Sequence, residues 1–81
     1  MRKTYHKILK TCFHTHLIRS RDALGLTQSQ MAEKLAMDER SYNDLDHGKN
    51  CCSNVTLALF LTQVCEDPQT FLEELRHAFK S

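Results

Sequence analysis

Apolar residues recur along this chain at intervals of three and four, a spacing that winds into one stripe on an α-helix. Five such segments stand out. The first covers about 4–24, with Ile8, Leu9, Cys12, Phe13, Leu17 and Leu24 on its stripe and Gly25 as its stop. The second, 28–35, opens on Thr27 as N-cap with Gln30 three residues on, a capping box, and Leu26 and Met31 can close a hydrophobic staple around it. Met31, Ala32 and Leu35 face inward. The third, 39–47, starts after Asp38 as N-cap, with Met37 and Tyr42 as a second staple, Leu45 inward and Gly48 as stop. The fourth is capped by Ser53 or Asn54 and is expected to bury Val55, Leu57, Phe60, Leu61 and Val64. The fifth is marked by "DPQTF", where Asp67 caps and Pro68 takes the first helical position, at which its missing N–H costs nothing. Its stripe is Phe71, Leu72, Leu75 and Phe79.

Composition narrows this to an all-α class. The 81 residues make one domain, 1–81, that buries about 60–65% of its unfolded surface. Two glycines and one proline are too few for the many turns of an all-β domain. No apolar run approaches a membrane span or a signal peptide, so a cytoplasmic protein with no membrane association is expected. The four cysteines, Cys12, Cys51, Cys52 and Cys65, contain no Cys-x-x-Cys pair, and reduced thiols are expected. Zinc held by Cys51, Cys52, Cys65 and a histidine is disfavoured, because adjacent cysteines diverge. No metal and no cofactor is therefore expected.

Charge is unevenly spread around a net +1: residues 1–21 carry +6 and no acid, 22–50 carry −3, and 51–81 carry −2. The basic N-terminal extension, 1–16, is either a solvated face or a patch for phosphate or an acidic partner. It can pack on the fifth helix or present Leu9 and Phe13 to a second subunit.

Two short helices joined by about three residues make a helix-turn-helix, in which the first element braces the second. The stretch "R-x-x-x-G-L-T-Q-x-x-M-A-x-x-L-A-M", Arg21 to Met37, followed by "L-D-H-G-K", Leu45 to Lys49, resembles the phage-repressor helix-turn-helix family of the Xre/Cro type. The resemblance covers about residues 17–72. It implies a compact five-helix, lambda-repressor-like bundle that binds double-stranded operator DNA, often as a homodimer, with helix 39–47 in the major groove.

The same resemblance implies roles for individual positions. Gln28 would grip a phosphate and brace the third helix. Glu39, Arg40 and Asp44 stand at base-reading positions. Arg40 suits guanine, and Glu39 suits cytosine N4 at the cost of repulsion from phosphates. Ser41 and Asn43 could reach phosphate or base, and Lys49 and Asn50 would touch the DNA backbone. Arg21 and Asp46 match a structural ion pair between the first and third helices, with aspartate where the family has glutamate. Alanine at 36 replaces the family's glycine, at a cost of about 1 kcal/mol if positive φ is needed there. Tyr42 replaces a smaller aliphatic residue, and Ser20 a common leucine.

The acidic third helix poses the main tension. Phosphate neutralisation supplies most non-specific affinity, and Asp38, Glu39, Asp44 and Asp46 outnumber Arg40 and Lys49 across 37–49. Asp44 could pair with Arg40 at i, i+4 and mute it. Two functions are therefore expected in competition: a dimeric, sequence-specific DNA-binding regulator, and a protein-interaction module on the same scaffold, antitoxin-like or an anti-repressor partner. Catalysis is disfavoured. Cys12 and His16 share a helix face as a nucleophile and base could, but read more simply as a core thiol beside a surface histidine.

Overall fold

A computed structural model describes residues 2–80. Met1 and Ser81, the two ends of the expected domain, lie outside the described residues. The described chain is all-helical: α1 (Arg2–Leu24), α2 (Gln28–Lys34), α3 (Glu39–Asp46), α4 (Asn54–Leu59), which continues as a π-helical turn (Phe60–Val64), and α5 (Pro68–Lys80). No helix is long and apolar enough to cross a membrane.

The helix starts follow local chemistry. Thr27 Oγ1 accepts from the Gln30 backbone at 3.1 Å while Gln30 Oε1 accepts from the Thr27 backbone at 2.9 Å, which closes the capping box. Asp38 accepts from Ser41 N at 3.0 Å, Ser53 from Thr56 N at 3.2 Å and Asp67 from Thr70 N at 3.2 Å. Three of the ends share one device, the left-handed residue with paired bonds back into the last turn. Gly25 (φ +64°), Ala36 (φ +54°) and Gly48 (φ +72°) occupy it. Their N–H groups donate to Asp22, Glu33 and Leu45, and the following N–H groups donate to Arg21, Ala32 and Asp44.

The core is Phe13, Leu17, Met31, Ala32, Leu35, Tyr42, Leu45, Phe60, Val64 and Phe71. Phe60 sits between Phe13 and Phe71 in edge-on contacts at 5.1 and 6.0 Å. The long α1 packs along α5, and Tyr5 meets Phe79 edge-on at 5.1 Å near their far ends. The N-terminal extension thus lies on α5, and Phe13 is spent in the core.

Four apolar assignments are corrected. Val55 and Leu72 face solvent, at 69% and 52% exposure, and Leu24 and Phe79 sit at the border of exposure. Along α4 and the π turn the inward line is Thr56, Phe60 and Val64. The π turn, in which the Cys65 N–H reaches back five residues to the Phe60 carbonyl at 2.8 Å, winds less per residue and so keeps positions four apart on one line. Thr56 fills the slot expected of an apolar residue because Ser53 Oγ donates to its hydroxyl at 2.9 Å, so its burial leaves that oxygen bonded.

The assignment of His16 to the surface is also overturned. It is buried at 8% exposure, edge-on to Phe71 at 5.0 Å, and Cys12 beside it is half-buried. All four thiols are free. Burial first, and the adjacent Cys51 second, push the Cys52 thiol up to about 12.

Candidate nucleic-acid interface

α2 and α3 pack on each other across the turn at 35–38. The turn works because Ala36 takes a left-handed conformation and Asp38 restarts the helix two residues later. α3 is then fastened by the carboxylate of Asp46, whose side chain is 9% exposed. Gln28 Nε2 donates to its Oδ2 at 3.0 Å and the Tyr42 hydroxyl to its Oδ1 at 3.0 Å. Arg21 Nε stands 3.5 Å from the same Oδ1, and His14 Nε2 lies 2.8 Å from the Asp46 carbonyl oxygen. One residue at the end of α3 thereby holds two positions of α1, the first residue of α2 and its own preceding turn.

The short aspartate leaves a defect in this cluster. Arg21 Nε is buried without a hydrogen-bond partner among the described residues. Its contact with Asp46 is a charge attraction at 3.5 Å. The Tyr42 phenol is held well above its ordinary pKa, first by burial, then by the hydrogen bond to Asp46 and that group's charge.

With Tyr42, Leu45 and Asp46 turned inward, Glu39, Arg40 and Asn43 stand exposed. Ser41 is exposed toward another side of α3, and Asp44 is half-buried. Ser41 and Asp44 line a shallow depression with Met37, Asn50, Cys51 and Thr56. Lys49 and Asn50 are exposed in the loop past the α3 stop. Gln28 is half-buried, with its amide committed to Asp46.

The anticipated Arg40–Asp44 pair is not formed: among the described residues Arg40 makes no ion pair within 4 Å. Asp38 is held below the usual carboxylate pKa mainly by the hydrogen bonds from Ser41, with a smaller contribution from the Arg40 charge.

One residue of the outer face escaped the sequence reading. His47, eight residues from Glu39 and four from Asn43, shares their side of the helix and is exposed, with its Nδ1 at 2.8 Å from the Asn43 carbonyl. That bond makes Nδ1 the donor, since a carbonyl oxygen can only accept. The i, i+4 spacing was the available signal.

No family model, no curated protein and no solved structure matches this chain.

Proposed function

We propose that this chain is a sequence-specific DNA-binding regulator of the phage-repressor type that lays α3 in the major groove as a homodimer. The observation that carries the reading is the division of labour within α3. Its inner side is consumed by packing and by the Asp46 cluster, while Arg40 and Asn43 stand exposed and Arg40 makes no ion pair among the described residues. Arg40 reads guanine through its fork of donors, and Asn43 and Ser41 add short polar contacts. Glu39 accepts from cytosine N4, and Asp44 borders the contact. Gln28 braces α3 and uses its remaining amide hydrogen on phosphate, and Lys49 and Asn50 contact the backbone.

A dimer doubles the few phosphate contacts that one copy offers. The exposed apolar residues Tyr5, Leu72 and Phe79, on α1 and α5, supply a surface for it outside α2 and α3.

Selection from a random duplex library at low salt tests the reading. Recovered sites have two half-sites, affinity falls steeply with salt, and Arg40→Ala loses discrimination at one guanine by about 1–3 kcal/mol. Failure to enrich any duplex at low salt refutes it.

A second reading has its own support. Around α3 the exposed and half-exposed acids Asp38, Glu39 and Asp44 outnumber Arg40 and Lys49, a balance that suits a basic protein surface better than phosphate. A stable protein partner whose footprint covers Arg40 and Asn43, together with no DNA selection, would favour the interaction module.

A further inference from the structure

α1 turns Cys12 and His16, four residues apart, toward α5, where they meet Glu74. One ligand atom from each, the Cys12 sulfur, a His16 ring nitrogen and a Glu74 carboxylate oxygen, lies within 4.8 Å of the other two. His16 Nε2 is 2.5 Å from Glu74 Oε2, and Phe71 fixes the plane of the imidazole by its edge-on contact. The three differ in access: His16 is buried, Cys12 half-buried, and Glu74 exposed with its side chain 49% accessible. A hydrogen bond between His16 and Glu74 accounts for those two residues, but it leaves the thiol beside them without a role.

Sulfur, imidazole nitrogen and carboxylate oxygen together are a donor set that zinc takes, and three protein ligands leave its fourth position to solvent. Tetrahedral bonds of about 2.0–2.3 Å put ligand atoms roughly 3.3–3.8 Å apart. The present spread, at most 4.8 Å, has to close by roughly 1 Å at its widest, and the His16–Glu74 pair, now at 2.5 Å, has to open by roughly 0.8 Å. Rotation of the Cys12 and Glu74 side chains can supply that. His16, held by the core, is the fixed point around which they move.

We propose that Cys12, His16 and Glu74 form a zinc site that clips α1 to α5, with water in the fourth position. On binding, the Cys12 proton passes to solvent. The Nε2 hydrogen that Glu74 now accepts leaves or moves to Nδ1, freeing Nε2 for the metal. Because the sulfur binds as thiolate, uptake of the ion releases protons. The site is built from α1 and α5 alone and does not depend on how α3 is used.

Titration of the reduced, full-length chain with cobalt(II), followed by displacement with zinc, tests this. One equivalent of cobalt is taken up, with a thiolate-to-metal band in the near-ultraviolet. Cys12→Ser abolishes the band, whereas Cys51→Ser, Cys52→Ser and Cys65→Ser each keep it. Glu74→Gln, whose amide oxygen can still accept from the buried His16, keeps its far-ultraviolet circular dichroism and weakens zinc binding at least about tenfold. A missing band in the unmodified chain overturns the proposal. So does a band that survives Cys12→Ser, a band lost from a folded variant at Cys51, Cys52 or Cys65, or unchanged zinc affinity in Glu74→Gln.

Discussion

Replacing Ala36 with glycine should stabilise this protein. Ala36 is the left-handed residue between α2 and α3, at φ +54°, and both hydrogen bonds that define the cap are made around it. A side chain in that conformation costs about 1–2 kcal/mol through the approach of Cβ to the backbone. Glycine removes this cost but adds unfolded-state freedom worth about 0.4–1 kcal/mol. The net gain lies between about 0 and about 1.6 kcal/mol and centres on about 0.8 kcal/mol, which for a domain of this size raises Tm by about 3–6 °C. The two glycines of the chain provide controls of opposite sign. Gly25→Ala introduces a Cβ with nothing within 4 Å, and at Gly48 the nearest atoms are those of the His14 ring at 3.6 Å, an ordinary contact. Both substitutions are thus limited by conformation and should destabilise by about the amount that Ala36→Gly gains. Thermal melts by circular dichroism and urea titrations with unchanged m-values would measure all three. If Ala36→Gly leaves Tm unmoved or lowers it, while the two controls behave as stated, the left-handed break between α2 and α3 is refuted. With it would go the separation of the two helices.

Tyr42→Phe deletes one donor to the nearly buried Asp46 and should cost about 1.5–3 kcal/mol in urea unfolding, the range for hydrogen bonds to charged groups. Because the folded pKa of Tyr42 is raised above its ordinary 10, its contribution is complete below that pH and is lost above it. A Tyr5→Phe chain should accordingly show no tyrosinate absorbance while folded at pH 10. At the acid end, the caps Asp38 and Asp67 have folded pKa values lowered below 3.8, chiefly by Ser41 and Thr70 respectively. Their contribution is present above pH 3.8 and lost as pH falls through the lowered values. Asp38→Asn with Asp67→Asn keeps the caps without the titration and should flatten stability against pH in that window. Leu72→Glu puts charge on an exposed side chain, so it should leave the monomer folded while abolishing any dimer, as read by sedimentation.

The boundaries of the helices were legible in the sequence because caps are local. Thr27 with Gln30, Asp38, Ser53, Asp67 with Pro68, and the glycines at 25 and 48 each act within four residues of themselves. Most of the core was legible for a related reason, since periodicity marks a stripe before anything is packed on it. What lies inside that stripe is a different matter. Val55 and Leu72 read as core yet face solvent, while Thr56 and His16 read as polar yet are buried. A polar side chain can go inside wherever a partner from elsewhere in the chain accepts it, as Glu74 does for His16 across 58 residues. The π turn in the fourth helix likewise depends on what Phe60 and Val64 meet, and no propensity announces it.

The outer face of α3 was visible in outline, including its acidity, whereas the clamp that holds it was visible only through the resemblance, as a brace at Gln28 and a pair of Arg21 with Asp46, and without the Tyr42 and His14 contacts. Arg21 and Asp46 could be paired only through a resemblance, and the donors that occupy the carboxylate, Tyr42 and Gln28, come from α3 and α2. By itself the sequence determined where the helices are capped and broken and most of the apolar stripes, because those choices are settled between near neighbours along the chain. Tertiary structure alone decided which polar groups are buried, which carboxylate oxygen each donor reaches, and that Cys12, His16 and Glu74 meet. Burial and hydrogen bonding depend on distances between residues far apart in the chain, and packing sets those distances.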